Sequence, residues 1–105
     1  MSVPARGEIW WAEAEDKRRP ILIVTRTEAV SVLTTIVVAP VSRTVRGIPT
    51  EVALGEAEGL SVDCAASFDN LLSVRWRGLL TERVGTLGAD RQSDFCDALR
   101  ACADC

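Results

Sequence analysis

The chain has 105 residues, 48% of them apolar and 26% charged, which supports one domain over residues 1–105 and excludes a disordered chain. It contains no histidine, which excludes a Ser-His-Asp triad or a histidine acid–base couple, and no apolar run of the about 20 residues that span a membrane. Because the N-terminus also lacks an apolar signal region, we predict a cytoplasmic protein.

Six segments rich in β-favouring residues predict strands along the chain. They are Gly7–Ala14, Ile21–Thr25, Thr34–Val41, Pro49–Leu54, Cys64–Phe68 and Leu80–Leu87. The polar residues Glu15–Arg18 are expected to form the first turn, and Pro20 to occupy the first position of the second strand, where no central ladder bond is lost. Residues 26–33 predict a connector with one helical turn.

The C-terminal segment has the periodicity of a helix. After Gly88, the apolar residues Phe95, Ala98, Leu99 and Cys102 follow the spacing of one helical face. Because the strands precede this helix without alternating helices between them, we predict a mainly β fold, a twisted antiparallel sheet or partly open barrel with the helix packed on it.

Three tryptophans are candidates for both packing and binding. Trp10 and Trp11 are neighbours on a strand and face opposite ways, so one is expected in the core and the other at a dimer interface or the rim of a groove. Trp76, between two arginines, could stack a base, although a capping contact on the barrel is the commoner outcome.

Basic side chains concentrate in residues 1–50, which carry seven basic and five acidic groups, whereas residues 51–105 carry five and ten. Lys17, Arg18 and Arg19 precede the most buried strand, where desolvation would strengthen a phosphate contact, but a solvated turn is an alternative. The segment Ser42–Gly47 supplies two hydroxyls and two guanidiniums for phosphate oxygens and could equally be an ordinary hairpin loop.

Asp69 and Asn70 follow the strand that ends at Phe68. A carboxylate beside an amide could accept a proton and bind a base edge, whereas an Asx turn is the favoured alternative. Near the C-terminus, Cys102 and Cys105 form a single C-x-x-C pair without a second pair or a histidine, so we predict free thiols and no metal.

The order and spacing of several segments resemble the MazF/PemK (Kid) family of toxin endoribonucleases over nearly the whole chain. They are Arg6–Trp10, Arg19–Val24, Val37–Ser42, Pro49–Val52, Phe68–Asn70, Arg83–Gly85 and the C-terminal helix. The short first loop and the T-x-R-G segment at Thr44–Gly47 are most similar to the mycobacterial branch.

The resemblance implies a small SH3-like barrel that forms a homodimer and cleaves single-stranded RNA at short sequences without metal or cofactor. The ribose 2′-OH would attack the adjacent phosphorus, leaving a 2′,3′-cyclic phosphate and a 5′-OH. A cognate antitoxin would cover the dimer groove with its C-terminal tail, DNA would be bound only through that complex, and no membrane would be involved.

The resemblance also implies roles for individual residues. Arg19 matches the arginine that stabilises the transition state and donates a proton, and Ser42 stands where many members have a catalytic threonine. Asp69 matches an acidic residue that serves as a general base or reads a base. Ser67 replaces an arginine of the plasmid Kid branch. The remaining candidates for RNA binding are Lys17, Arg18, Arg43, Thr44, Arg46 and Asn70.

Two alternatives from other functional classes remain open at this point. CcdB-type gyrase poisons share the fold, but they bind gyrase through C-terminal residues that include a tryptophan, and the tryptophans here are far from the C-terminus. A non-catalytic member would bind an antitoxin without cutting RNA, and the serine at position 42 keeps this alternative open.

Overall fold

The computed structural model of the chain describes residues 3–14 and 17–103 and shows seven strands and one long helix within them. The strands are β1 (Glu8–Ala14), β2 (Lys17–Ile23), β3 (Ile36–Ser42), β4 (Glu51–Leu54), β5 (Cys64–Ser67), β6 (Leu72–Val74) and β7 (Leu80–Thr86). The helices are α1 (Thr27–Val30), the kinked turn α2 (Trp76–Leu79) and α3 (Gln92–Ala103). Short 3-10 turns occur at Glu56–Glu58, Phe68–Asn70 and Ala89–Arg91.

All strand pairs are antiparallel, and the sheet follows the order β4-β5-β3-β2-β1-β7. Strand β3 changes partners along its length. Its first residues pair with β6, its middle with β2, and Val41 and Ser42 with β5. The ladder with β2 stops after the pair Ile21 and Pro40, because the next residue of β2 is Pro20, which has no N–H to donate to β3. The sheet therefore curls into the predicted half-open, mainly β architecture.

Two apolar clusters cover the two faces of the sheet. One contains Ile9 and Leu22 together with Phe68 and Phe95, whose rings meet edge to face at 5.2 Å. The other is built around Trp10, Ile21 and Trp76. Helix α3 buries Phe95 and Ala98 against the first cluster, with Leu99 and Cys102 packed beside them, which confirms the predicted helical face.

The predicted first turn is wrong in its second half. Lys17, Arg18 and Arg19 belong to β2 and pair only with β1, and Pro20 lies within the strand opposite Trp11. Proline is tolerated there because the ladder to β3 begins at Ile21, so Pro20 loses no bond on that side. The charged residues extend the β1–β2 pair beyond the part of β2 that pairs with β3.

Strand β6 and the turn α2 lack a sequence signal. Leu72 and Ser73 are exposed, and a strand of three residues is too short to show an alternating pattern. The strand forms because the first residues of β3 would otherwise have an open edge. Trp76 then caps the second cluster and donates its indole N–H to the Val30 carbonyl at 3.1 Å, as the capping alternative predicts.

Candidate active site

A cleft of about 870 Å³ opens where β2 begins, beside the end of β3. Its walls are the exposed 43–50 loop, which joins β3 to β4, and the segment 55–62, which joins β4 to β5 and is called the 55–62 wall below. The predicted site residues that line it are Arg18, Arg19, Ser42, Arg43, Thr44, Arg46 and Asn70. The fold thus brings most of the candidates into one cavity.

Arg19 and Ser42 lie near the same end of the β2–β3 ladder. The ladder ends at the pair Ile21 and Pro40, and Arg19 and Ser42 each lie two residues beyond it on their own strands. Both residues line the cleft. A guanidinium and a hydroxyl from two different strands are therefore available in one cavity.

The Ser42 hydroxyl is oriented by the chain that follows it. Its Oγ accepts a hydrogen bond from the Thr44 backbone N–H at 3.1 Å, which leaves the hydroxyl proton available to donate. This local bond supplies some of the orientation that the γ-methyl of threonine would impose on χ1.

The cleft is cationic although the whole chain has a formal charge of −3. Four arginines line it, and Glu51 is the one carboxylate among its described lining residues. Glu51 does not neutralise a guanidinium, because its Oε1 accepts the backbone N–H groups of Arg46 at 2.9 Å and Gly47 at 3.0 Å. The Arg19 side chain makes no ion pair with any described residue.

Arg18 has a different environment from Arg19. Its guanidinium carbon lies 4.5 Å from the centre of the Trp11 ring, and its Nη2 donates to Glu82 Oε2 at 2.9 Å. Trp11 is half-buried and lines the cleft, in agreement with the predicted position at the rim of a groove.

The structure places only one residue of the Asp69-Asn70 pair in the cleft. Asn70 lines the cleft and donates from Nδ2 to the Oγ of buried Ser67 at 3.2 Å, and its amide oxygen accepts no hydrogen bond from a described residue. Asp69 is exposed, lies outside the cleft lining and accepts a hydrogen bond from Thr50 Oγ1 at 2.5 Å. In this arrangement Asp69 holds the end of the 43–50 loop.

Lys17 also lies outside the cleft. It lines a smaller apolar depression of about 320 Å³, which shares Arg19 and Pro20 with the main cleft and includes exposed Leu72. Lys17 shares one face of β2 with Arg19, and both line this depression, whereas Arg18 lies on the other face and lines only the main cleft. Arg19 reaches both cavities from the boundary between them.

The 55–62 wall is fixed by a buried carboxylate. Glu58 Oε1 accepts a hydrogen bond from the Gly55 N–H at 2.7 Å, and its Oε2 accepts one from Arg91 Nη1 at 3.5 Å. Arg91 also donates to the Ala53 carbonyl at 2.8 Å and to Asp94 at 2.6 Å, so it joins the wall to helix α3.

Cys64 is the one described group with a clearly shifted pKa. Burial, and then the nearby carboxylates of Asp63 and Glu58, raise the pKa of its thiol. The thiol lines the cleft but stays protonated at neutral pH, and it is therefore a poor nucleophile. Cys64, Cys96 and Cys102 are free, whereas Cys105, the second member of the C-x-x-C pair, lies outside the described residues.

Sequence reasoning missed the supports of the cleft. Glu51, Glu58 and Arg91 have no signal as site residues because their partners are backbone groups or are distant in sequence. Only the folded chain brings Arg91 to Glu58. Among the described residues, no helix has the length and apolar character needed to cross a membrane.

Comparison with known proteins identifies the family. Residues 5–102 match the model of "PemK-like, MazF-like toxin of type II toxin-antitoxin system". A probable endoribonuclease MazF5 of Mycobacterium tuberculosis is 37% identical over 106 residues, covering 99% of this chain and 96% of that protein.

Two solved structures are similar over nearly the whole chain. The Mycobacterium tuberculosis toxin MazF-mt6 has a TM-score of 0.84 at 34% identity and covers 92% of this chain and 96% of its own. A MazE–MazF structure from Deinococcus radiodurans has a TM-score of 0.82 at 25% identity, with 99% and 98% covered.

Proposed function

This chain belongs to the PemK-like, MazF-like toxins of type II toxin–antitoxin systems, and we propose that it is an endoribonuclease that cuts single-stranded RNA without a metal. The observation that carries the proposal is that Arg19 and Ser42, from neighbouring strands, line one cationic cleft. The chemistry requires a cation and a hydroxyl donor at one phosphate, and both are provided there.

In the proposed reaction, the ribose 2′-OH gives its proton to a solvent water while its oxygen attacks the adjacent phosphorus and the bond to the 5′-oxygen breaks. The products are a 2′,3′-cyclic phosphate and a 5′-OH. Arg19 neutralises the charge that develops on the non-bridging oxygens and gives a guanidinium proton to the leaving 5′-oxygen, and solvent then returns a proton to Arg19. Ser42 donates its hydroxyl proton to a non-bridging oxygen and fixes the phosphate for in-line attack.

The remaining cleft residues hold the RNA strand. Arg43, Thr44 and Arg46 present guanidinium, hydroxyl and backbone groups to neighbouring phosphates. Asn70 turns its amide oxygen to the edge of a base. Asp69 acts through Thr50 as a positioning residue for the loop and not as a general base, since it does not line the cleft.

The direct test is cleavage of a long, weakly structured RNA in excess EDTA. We expect discrete cuts with 5′-OH ends and a loss of about 1,000-fold in rate for Arg19→Ala, the scale measured when a main donor to a transition-state oxyanion is removed. Ser42→Ala should lose about 10- to 100-fold, and Ser42→Thr should keep activity. The matched control is Arg100→Ala, which removes an exposed guanidinium on α3 that does not line the cleft.

The proposal fails if folded protein leaves several long RNAs intact, or if Arg19→Ala cuts as fast as the wild type. The first result would favour the non-catalytic family member that binds only an antitoxin.

We also propose a cytoplasmic homodimer that is inhibited by a cognate antitoxin, with DNA bound only through the antitoxin complex. The MazE–MazF structure from Deinococcus radiodurans supports such a partner. An acidic C-terminal tail would be attracted by Arg19, Arg43 and Arg46, so its binding should weaken with salt and with the double variant Arg43→Ala/Arg46→Ala. Binding that responds to neither change would exclude this charge-based arrangement.

A further inference from the structure

We propose that Trp11 and Arg18 form a stacked platform that binds one base of the RNA strand. The platform distinguishes between bases and is separate from the phosphate contact at Arg19. The inference takes single-stranded RNA as the ligand and so rests on the proposed function. Its basis is the arrangement of three side chains from three adjacent strands at the edge of the cleft.

The platform follows from strand register. Trp11 on β1 is directly opposite Pro20 on β2 and Glu82 on β7. Arg18 is two residues before Pro20 and therefore emerges on the same face as Trp11. Its guanidinium reaches diagonally over the indole ring, with 4.5 Å from the guanidinium carbon to the ring centre.

Glu82 holds this stack together. It extends from the opposite neighbouring strand and accepts a hydrogen bond from Arg18 Nη2 at 2.9 Å. The ion pair fixes the plane of the guanidinium and balances its charge. Arg18 therefore contributes little to the electrostatic attraction of phosphates, whereas Arg19 beside it has no carboxylate partner among the described residues.

What Arg18 retains is a flat, weakly hydrated surface. Its side chain remains 46% exposed, so the guanidinium face turned away from Trp11 is available to a ligand. Arginine planes and aromatic rings are the groups on which unstacked RNA bases rest. Since Arg18 and Arg19 are adjacent on β2 and both line the cleft, a base next to the phosphate held by Arg19 can reach the platform.

The proposal is tested by comparing a ligand with bases and one without. Fluorescently labelled 2′-O-methyl uridine and adenosine heptamers, which cannot be cleaved, are titrated beside an abasic heptamer with the same backbone charge. We expect the wild type to prefer one of the base-bearing heptamers over the abasic one by about tenfold, in line with one stacked base.

Arg18→Lys is the decisive variant because it keeps the charge and removes the plane. It should reduce the preference to less than about twofold while abasic binding stays unchanged. Glu82→Gln should also reduce the preference but strengthen abasic binding, since it removes a negative charge. Arg43→Ala, in the exposed loop, should weaken both ligands equally and retain the ratio.

The platform is overturned if Arg18→Lys keeps the wild-type preference, or if Arg18→Ala weakens the base-bearing and abasic ligands by the same factor, as a phosphate contact would. The two proposals can fail separately. A base preference without RNA cleavage would refute the proposed nuclease activity and support the platform. Arg19-dependent cleavage without a base preference would support the nuclease activity and refute the platform.

Discussion

The two walls of the cleft are held in place by different forces. The 55–62 wall is anchored by a buried carboxylate, an arginine from α3 and buried Leu60 in the first apolar cluster. The 43–50 loop is exposed along most of its length and is held by Glu51, the Ser42 hydroxyl and the Thr50–Asp69 bond. The 55–62 wall therefore packs into the core. The 43–50 loop, which carries the phosphate-binding groups, is held by local hydrogen bonds.

This difference separates stability from activity. A change in the 55–62 wall disturbs buried groups and should lower the free energy of unfolding. A change in the 43–50 loop leaves the core intact and should act mainly on cleavage, because displacement of a positioned group by about 1 Å costs rate without unfolding the protein.

The largest effect is expected from Gly85→Ala. A Cβ at this position would overlap the Glu58 backbone carbonyl, so two backbone segments must separate. We expect a loss of about 3 kcal/mol or more in the free energy of unfolding by urea. Gly47→Ala in the exposed loop is the control: it has positive φ but open space around it and should cost only about 1–2 kcal/mol. Equal losses at the two positions would contradict the comparison.

Arg91→Ala should rank next, since it removes the charged partner of buried Glu58 and the hydrogen bond to Ala53. We expect a loss of about 2–3 kcal/mol, below the range for fully buried pairs because Arg91 is 25% exposed and Glu58 keeps its bond from Gly55. Arg100→Ala, whose exposed pair with Asp97 spans 3.9 Å, should change stability by less than about 0.5 kcal/mol.

Glu51→Ala, unlike Arg91→Ala, should lower the cleavage rate more than it lowers the free energy of unfolding. It removes the acceptor of two backbone N–H groups in an exposed loop, for which we expect about 1 kcal/mol of stability and about a tenfold loss of cleavage rate. Glu51→Gln keeps an acceptor oxygen and should recover most of the rate. A Glu51→Ala variant that cuts RNA normally would show that the loop needs no such support.

The smallest effect concerns Cys64 and appears only at alkaline pH. Its raised pKa means that the folded state binds the thiol proton more tightly than the unfolded state does. Its contribution to stability is therefore complete below the ordinary thiol pKa and is lost as the pH rises through the folded pKa. Urea unfolding between pH 7 and pH 10 should show a steeper decline for the wild type than for Cys64→Ala, and parallel curves would contradict this assignment.

Local pattern predicted most of the secondary structure. The β-rich runs around Ile21 and Val38 and the helical spacing of Phe95 and Ala98 each identify an element because side-chain periodicity depends only on neighbours in sequence. The three-residue strand at Leu72 escaped prediction, since an edge of β3 stabilises it more than its own residues do.

The sequence also supplied the chemistry of the site, because the absence of histidine and the excess of arginine are facts of composition. Only the tertiary structure decided which candidates meet. Arg19 and Ser42, from different strands, line one cleft, whereas Lys17 lines the smaller depression beside it. The support of Glu58 by Arg91, 33 positions later in the chain, depends on packing that no local pattern encodes.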